Sequence, residues 1–122
     1  MSPATVDQIA EQFVSALKGD INRLKDICAP DCQLWHSNDA KWMAQAPALE
    51  AFAEAQKAGL IPEFGELVIT PTAKGFLSQT TMTLAPVGKM QIVQLITVEG
   101  GKITVIEEYI APEMDLSNLA QA

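Results

Sequence analysis

The chain has 122 residues and a mass of 13.1 kDa, with 48% apolar residues, only 19% charged residues and a formal net charge of −7. That length fits one domain, residues 1–122, with a core over about 6–112 and a short tail over 113–122, and it can bury roughly two-thirds of its unfolded surface. The apolar content excludes a disordered chain, and 8 Lys+Arg against 15 Asp+Glu exclude a basic stripe for nucleic acid.

The opening string MSPATVDQIAEQF carries neither a basic leader nor an apolar run, so no secretory signal is expected. No window of about 18 apolar residues occurs, so no membrane span is expected either. With Cys28 and Cys32 read as reduced thiols, a cytoplasmic protein follows.

Val6, Ile9, Ala10, Phe13, Val14 and Leu17 recur with helical period, predicting a first helix capped by Ser2, with Pro3 in its first turn and Gly19 at its end. Asp20 caps a second, shorter helix carrying Ile21, Leu24, Ile27 and Cys28, which Pro30 stops. Cys32 to His36 is a short extended run, followed by a polar loop at Ser37-Asn38-Asp39. Residues 47–58 form a third helix, opened by Pro47, closed by Gly59, with Leu49, Phe52 and Ala53 inward.

After Pro62 the period changes from 3.6 to 2. Leu67 to Thr70 is a strand that Pro71 confines to an edge or a bulge. Phe76–Leu84, Met90–Val98 and Ile103–Ile110 are longer strands, joined by a turn at Pro86-Val87-Gly88 and a tight hairpin at Glu99–Lys102. Pro112 ends the last strand, and the tail has room for one helical turn. Helices first and strands after make an α+β fold, with the helices on one face of an antiparallel sheet.

Cys28, Cys32 and His36 are spaced like a ligand row on a helix, but Pro30 breaks that helix, and no metal site is expected. There is no G-x-S-x-G elbow, and no glycine-rich phosphate loop, since Gly100-Gly101 reads as a hairpin and Gly59 as a helix cap. His36, the only histidine, has a side chain whose ordinary titration range suits proton transfer at neutral pH. Alternation places Leu34 with His36 on one face, and Gln33 and Trp35 on the other. On the last strand it groups Thr104, Ile106, Glu108 and Ile110 against Val105, Glu107 and Tyr109.

Two strings, FVSALKGDINRLKDICAPDCQLWH and GGKITVIEEYIAP, resemble the nuclear-transport-factor-2-like (NTF2-like) superfamily over residues 6–112. That group includes SnoaL-like polyketide cyclases and ketosteroid isomerases. The resemblance implies a cystatin-like, SnoaL-like cone: a strongly bent antiparallel sheet wrapped around the N-terminal helix, with a pocket between them. It puts His36 where the ketosteroid isomerases carry a carboxylate base, Phe13 where they carry a tyrosine donor, and Gln94 where they carry a protonated carboxylic acid. Losing one such donor costs about 3–4 kcal/mol of transition-state stabilisation. It also turns Glu108 into the cone, as a partner that orients His36. Catalytic roles thus fall on His36, Glu108 and Gln94. The pocket wall falls on Phe13, Leu17, Leu34, Phe52, Thr80, Met82, Leu84, Ile96, Ile106 and Ile110.

The implied activity is cofactor-free acid–base isomerisation, dehydration or cyclisation of a small, mainly apolar carbonyl compound. The alternative is a non-catalytic ligand-binding or dimerisation module in which His36 is structural. The apolar outer sheet face, with Leu77, Thr81, Val93, Leu95, Val105 and Tyr109, implies a homodimer.

Overall fold

The structure, a computed structural model, describes residues 4–61, 64–84 and 87–120. In chain order they form α1 (Val6–Lys18), a 3-10 helix (Ile21–Asp26), β1 (Cys28–His36), β2 (Lys41–Ala44), α2 (Gln45–Lys57), β3 (Val68–Pro71), β4 (Gly75–Leu84), β5 (Gly88–Glu99), β6 (Lys102–Pro112) and α3 (Ser117–Ala120). The six strands make one sheet in the order β2-β1-β6-β5-β4-β3. The α+β reading holds. One pairing departs from an all-antiparallel sheet: β1 runs parallel to β6. β2, α2 and β3 separate β1 from the β4–β6 meander, so no hairpin dictates its direction.

Helix α1 starts at Val6, not at Pro3, because Thr5 supplies a capping box: its hydroxyl accepts from the Gln8 amide, and the Gln8 side chain accepts from the Thr5 amide. Ser2 and Pro3 lie outside the described residues. The buried stripe is Ile9, Phe13, Ala16 and Leu17, while Val6 is exposed. Asp20 caps the 3-10 helix through the Asn22 amide, as its position in the sequence predicts. The helix stops at Asp26, ahead of Pro30, because the chain is already extended from Cys28, and Pro30 sits inside β1. Pro30 is tolerated there because the β1–β6 register breaks between Cys28 and Gln33, so no ladder bond is asked of it.

Helix α2 begins at Gln45 and buries Gln45, Leu49 and Ala53, with Phe52 half-buried. β3 is the sheet edge that Pro71 required. Pro62 and Pro86 lie outside the described residues. Gly100 and Gly101 have φ of 58° and 79°, as a two-residue type I′ hairpin demands. Gly75 approaches β5 so closely that an added Cβ would collide with the Ile96 carbonyl oxygen.

Strict alternation breaks at Thr104. The register slips between Thr97 and Val98, so Val98 pairs with Ile103 and Thr97 with Val105, leaving Thr104 as an extra bulge residue. The bulge lets Ile103, fully buried, and Ile106 both point into the core.

That core joins α1, α2 and the helix-covered face of the sheet, hereafter the inner face. Phe13 meets Phe76 edge-on at 5.4 Å between ring centroids. Both rings are 1% exposed. Phe76→Ala should therefore lower unfolding stability by about 3–5 kcal/mol in urea denaturation, because a packed helix–sheet junction collapses poorly into the void. A loss below about 1 kcal/mol would show that the junction is loosely packed.

Candidate functional site

The site is built by register. His36 pairs with Glu108, Glu108 with Gln94, and Gln94 with Ser78, on β1, β6, β5 and β4. Alternation turns all four side chains to the inner face, as a single polar row. Leu34, Ile106, Ile96 and Phe76 form the neighbouring row on one side; Ile110, Ile92 and Thr80 form the row on the other.

The end of β1 is clipped to β6. The Ser37 amide donates to the Glu108 carbonyl at 2.9 Å, and the Ile110 amide donates to Ser37 Oγ at 3.1 Å. The chain then turns sharply: the Ala40 amide donates to the His36 carbonyl at 2.8 Å, and Ala40 has φ 55°. Such a conformation is unfavourable for a residue with a side chain, and this one sits four residues after His36. The turn leads into β2, where exposed Lys41 lies opposite His36.

Gln94 Nε2 donates to Glu108 Oε2 at 2.7 Å. The other oxygen, Oε1, is 3.9 Å from His36 Nε2, an ion-pair distance rather than a hydrogen bond. The side chains of His36 and Glu108 are 25% and 17% exposed, so the pair is half-buried and open to solvent at one side. The three residues assigned catalytic roles from sequence are thus adjacent. Ser78 joins them without having been singled out, although its parity with Thr80 and Met82 places it on the same face. Its Oγ is buried and has no hydrogen-bond partner.

The residues read as a pocket wall divide. Phe13, Leu34, Ile96 and Ile106 belong to the packed core, where α1 lies across them. Phe52 stacks on Phe64 at 6.3 Å, and Phe64 bridges to Met82. Thr80 Oγ1 donates to the Gly65 carbonyl at 3.1 Å, so residues 64–65 strap this end of the sheet to α2. Leu84 and Ile110 are half-buried farther along their strands. Leu17 alone of the ten lines one of the two open clefts described here. That cleft lies between the ends of α1 and α2, with Phe64 and Gly65 on its far wall. The other, about 540 Å³, lies between the 3-10 helix, α2 and the start of β1, and includes Cys28, Gln45 and Leu49. Neither is lined by His36, Glu108 or Gln94. Beside their row the inner face is packed core, and His36 and Glu108 form its half-buried end.

On the opposite face, Trp35 packs on Tyr109 at 5.2 Å, and Trp42 is 54% exposed. Glu107 pairs in register with Trp35, so Glu107 points outward and Glu108 inward.

No protein-family model and no curated protein matches the chain. Solved structures do. An NTF2-like protein of unknown function from Burkholderia xenovorans superposes with TM-score 0.73 at 12% identity, over 90% of this chain and 85% of that one. A second NTF2-like protein from the same organism is 26% identical, with TM-score 0.63, covering 96% and 94% of the two chains. A ketosteroid-isomerase-like fold protein from Catenulispora acidiphila, solved with trimethylamine, has TM-score 0.64 at 14% identity, over 86% of each chain. The chain has the fold that these structures share, described for them as NTF2-like, ketosteroid-isomerase-like and cystatin-like. Among the described residues, no helix is long and apolar enough to cross a membrane.

Cys28 and Cys32 lie on a strand, not a helix, so His36 is about 13 Å beyond Cys32 along β1, out of reach for shared coordination. The Cys28 thiol is pushed far up from its ordinary range, first by its hydrogen bond with Cys32 and then by burial; the same bond draws Cys32 down. Cys28 should therefore resist alkylation by iodoacetamide in the native protein at mildly alkaline pH and react fully in guanidinium chloride, as read by mass spectrometry. Rapid native labelling of Cys28 would contradict this.

Proposed function

We propose that the protein is a cofactor-free acid–base enzyme acting on a small, mainly apolar carbonyl compound, by isomerisation, dehydration or cyclisation. The observation that carries this is the His36–Glu108–Gln94 row, three polar side chains between two apolar rows. His36 presents Nε2 to Glu108, so the tautomer with its proton on Nε2 is favoured, and Nδ1 is left as the base. Abstraction of a proton alpha to a carbonyl would create an imidazolium, which the adjacent carboxylate stabilises. Gln94 holds that carboxylate through a charge-assisted hydrogen bond. No tyrosine stands at Phe13 to stabilise an enolate, so substrates whose anion is already delocalised, such as enones and 1,3-diketones, suit the site best.

The test is deuterium incorporation from D2O into a panel of such ketones, followed by NMR. His36→Ala should lower the exchange rate by on the order of 100-fold or more. Glu108→Gln should lower it less, because the amide fills the same space without the charge. Exchange by His36→Ala at the rate of the parent protein would overturn the assignment. The second reading, a ligand-binding module, draws on the two open clefts away from His36; its signature is saturable ligand binding with no exchange catalysed.

A homodimer through the outer sheet face belongs to the same proposal. Leu77 and Leu95 pair in register, as do Val93 and Tyr109, and Trp35 extends the patch. The core helices cover only the other face. Two free, buried thiols fit the reducing cytoplasm. Sedimentation should give twice the 13.1 kDa chain mass, and Leu95→Arg should halve it. A monomeric parent protein at micromolar concentration would refute the dimer.

A further inference from the structure

We infer that the cleft between the 3-10 helix, α2 and the start of β1 binds a small monocarboxylate with an apolar tail, whose anionic head sits at the N-terminus of α2 beside Gln45. The cleft, about 540 Å³, has the volume of a small-molecule pocket and lies away from the His36 row. The inference rests on the ligand-binding reading of that cleft and is independent of catalysis at His36.

Gln45 carries the inference. It is 5% exposed and lines the cleft, yet no hydrogen bond engages its side chain among the described residues. A buried carboxamide without partners costs stability unless something else satisfies it. The fully enclosed unpaired side-chain atoms among the described residues are Ser78 Oγ and Thr104 Oγ1, so the surface that the Gln45 amide keeps opens on the cleft. Gln45 is also the first residue of α2. Ala44, at the N-cap, makes no side-chain capping bond, and the first turn holds no acidic residue. The backbone amides of Gln45 and Ala46 therefore lack intrahelical acceptors, and Pro47 has no amide hydrogen to offer. Two backbone amides and a carboxamide thus gather at the positive end of a 13-residue helix, an arrangement that selects an anion.

The rest of the cleft sets the kind of anion. Lys25 and Lys57 line it together with Glu50 and Glu54, and Lys57 pairs with Glu54 at 3.7 Å. These four cancel in formal charge, so the helix end decides the sign. A single negative charge then suits a chain of net −7 better than a phosphate does. Leu49 and Ala53, buried one and two turns along α2 from Gln45, and Pro30 on the opposite wall offer apolar surface to a tail.

The probe is hexanoate, with hexanamide and hexylammonium as its neutral and cationic counterparts, titrated into the isotopically labelled protein and followed by NMR. Hexanoate should shift the Gln45 side-chain amide and the Ala46 backbone amide saturably, with a Kd on the order of 1 mM. Hexanamide should bind several-fold more weakly, and hexylammonium should not shift these signals. Gln45→Glu places a like charge beside the head group and should weaken hexanoate on the order of 10-fold. Glu50→Gln, at an exposed position, should instead tighten it about twofold at low salt, and this variant serves should the Gln45 variant not fold. Equal affinity for the three probes, shifts centred on His36, or weaker hexanoate binding in Glu50→Gln would overturn the inference. Saturation of the Gln45 and Ala46 signals by hexylammonium alone would remove the carboxylate and leave the ligand-binding reading of the cleft standing. No saturable shift with any probe would remove both.

Discussion

The parallel ladder between β1 and β6 is the constraint on which the molecule's arrangement depends. β1 is separated from the β4–β5–β6 meander by β2, α2 and β3, and it must find the strand edge that the meander leaves open at β6. Its register decides what faces what. A slip by one residue would exchange the faces of the whole strand, burying Trp35 on the helix-covered side and exposing Leu34 and His36. Ser37 opposes such a slip: its amide and its hydroxyl both bond to β6, on either side of Tyr109. At the other end, the Ile103 amide donates to the Ile27 carbonyl at 2.7 Å. The strand is therefore held at both ends, and the excursion from Cys28 to Cys32 takes up the slack between them.

Given that register, the polar row is a consequence of chain geometry rather than of any local motif. His36, Glu108, Gln94 and Ser78 are widely separated in sequence, and only strand pairing makes them neighbours. Apolar rows on both sides lower the local dielectric and strengthen the Gln94–Glu108 bond, while making any unpaired member more costly. Half-exposure of His36 and Glu108 keeps the solvent end of the row wet enough to carry charge. The same sheet carries two different economies: packed hydrocarbon under α1, and hydrogen-bonded polar groups beside it.

Much of this was legible from alternation. The parity of Leu34 with His36, of Ile106 with Glu108, and of Thr80 with Met82 follows from a period of two, which needs no knowledge of partners. The strand partners themselves were not legible, because pairing is a long-range property. For that reason β2 went unread: Lys41-Trp42-Met43-Ala44 has no clear alternation and forms a strand only by pairing with β1. Pro30 was a misleading stop signal, since a break in the ladder removes the requirement that proline would violate. The pocket wall is a different matter. Periodicity identifies an inward residue but does not distinguish one packed against a helix from one lining a space, and Phe13, Leu34, Ile96 and Ile106 are of the first kind. A serine on a strand, such as Ser78, carries no signal until its neighbours are known.

The bulge at Thr104 has a consequence beyond local shape. It separates β6 into two stretches whose faces are set independently: one belongs to the hairpin with β5, and the other carries Glu108 beside His36. Ile103 and Ile106 are an odd number of positions apart, which would otherwise force one of them outward. Because the mismatch is absorbed at a single unpaired residue, a change in the length of the Gly100–Gly101 hairpin can be taken up there before it reaches the polar row. The bulge acts as an expansion joint, which uncouples the tight turn of this hairpin from the stretch that holds a charged side chain inward.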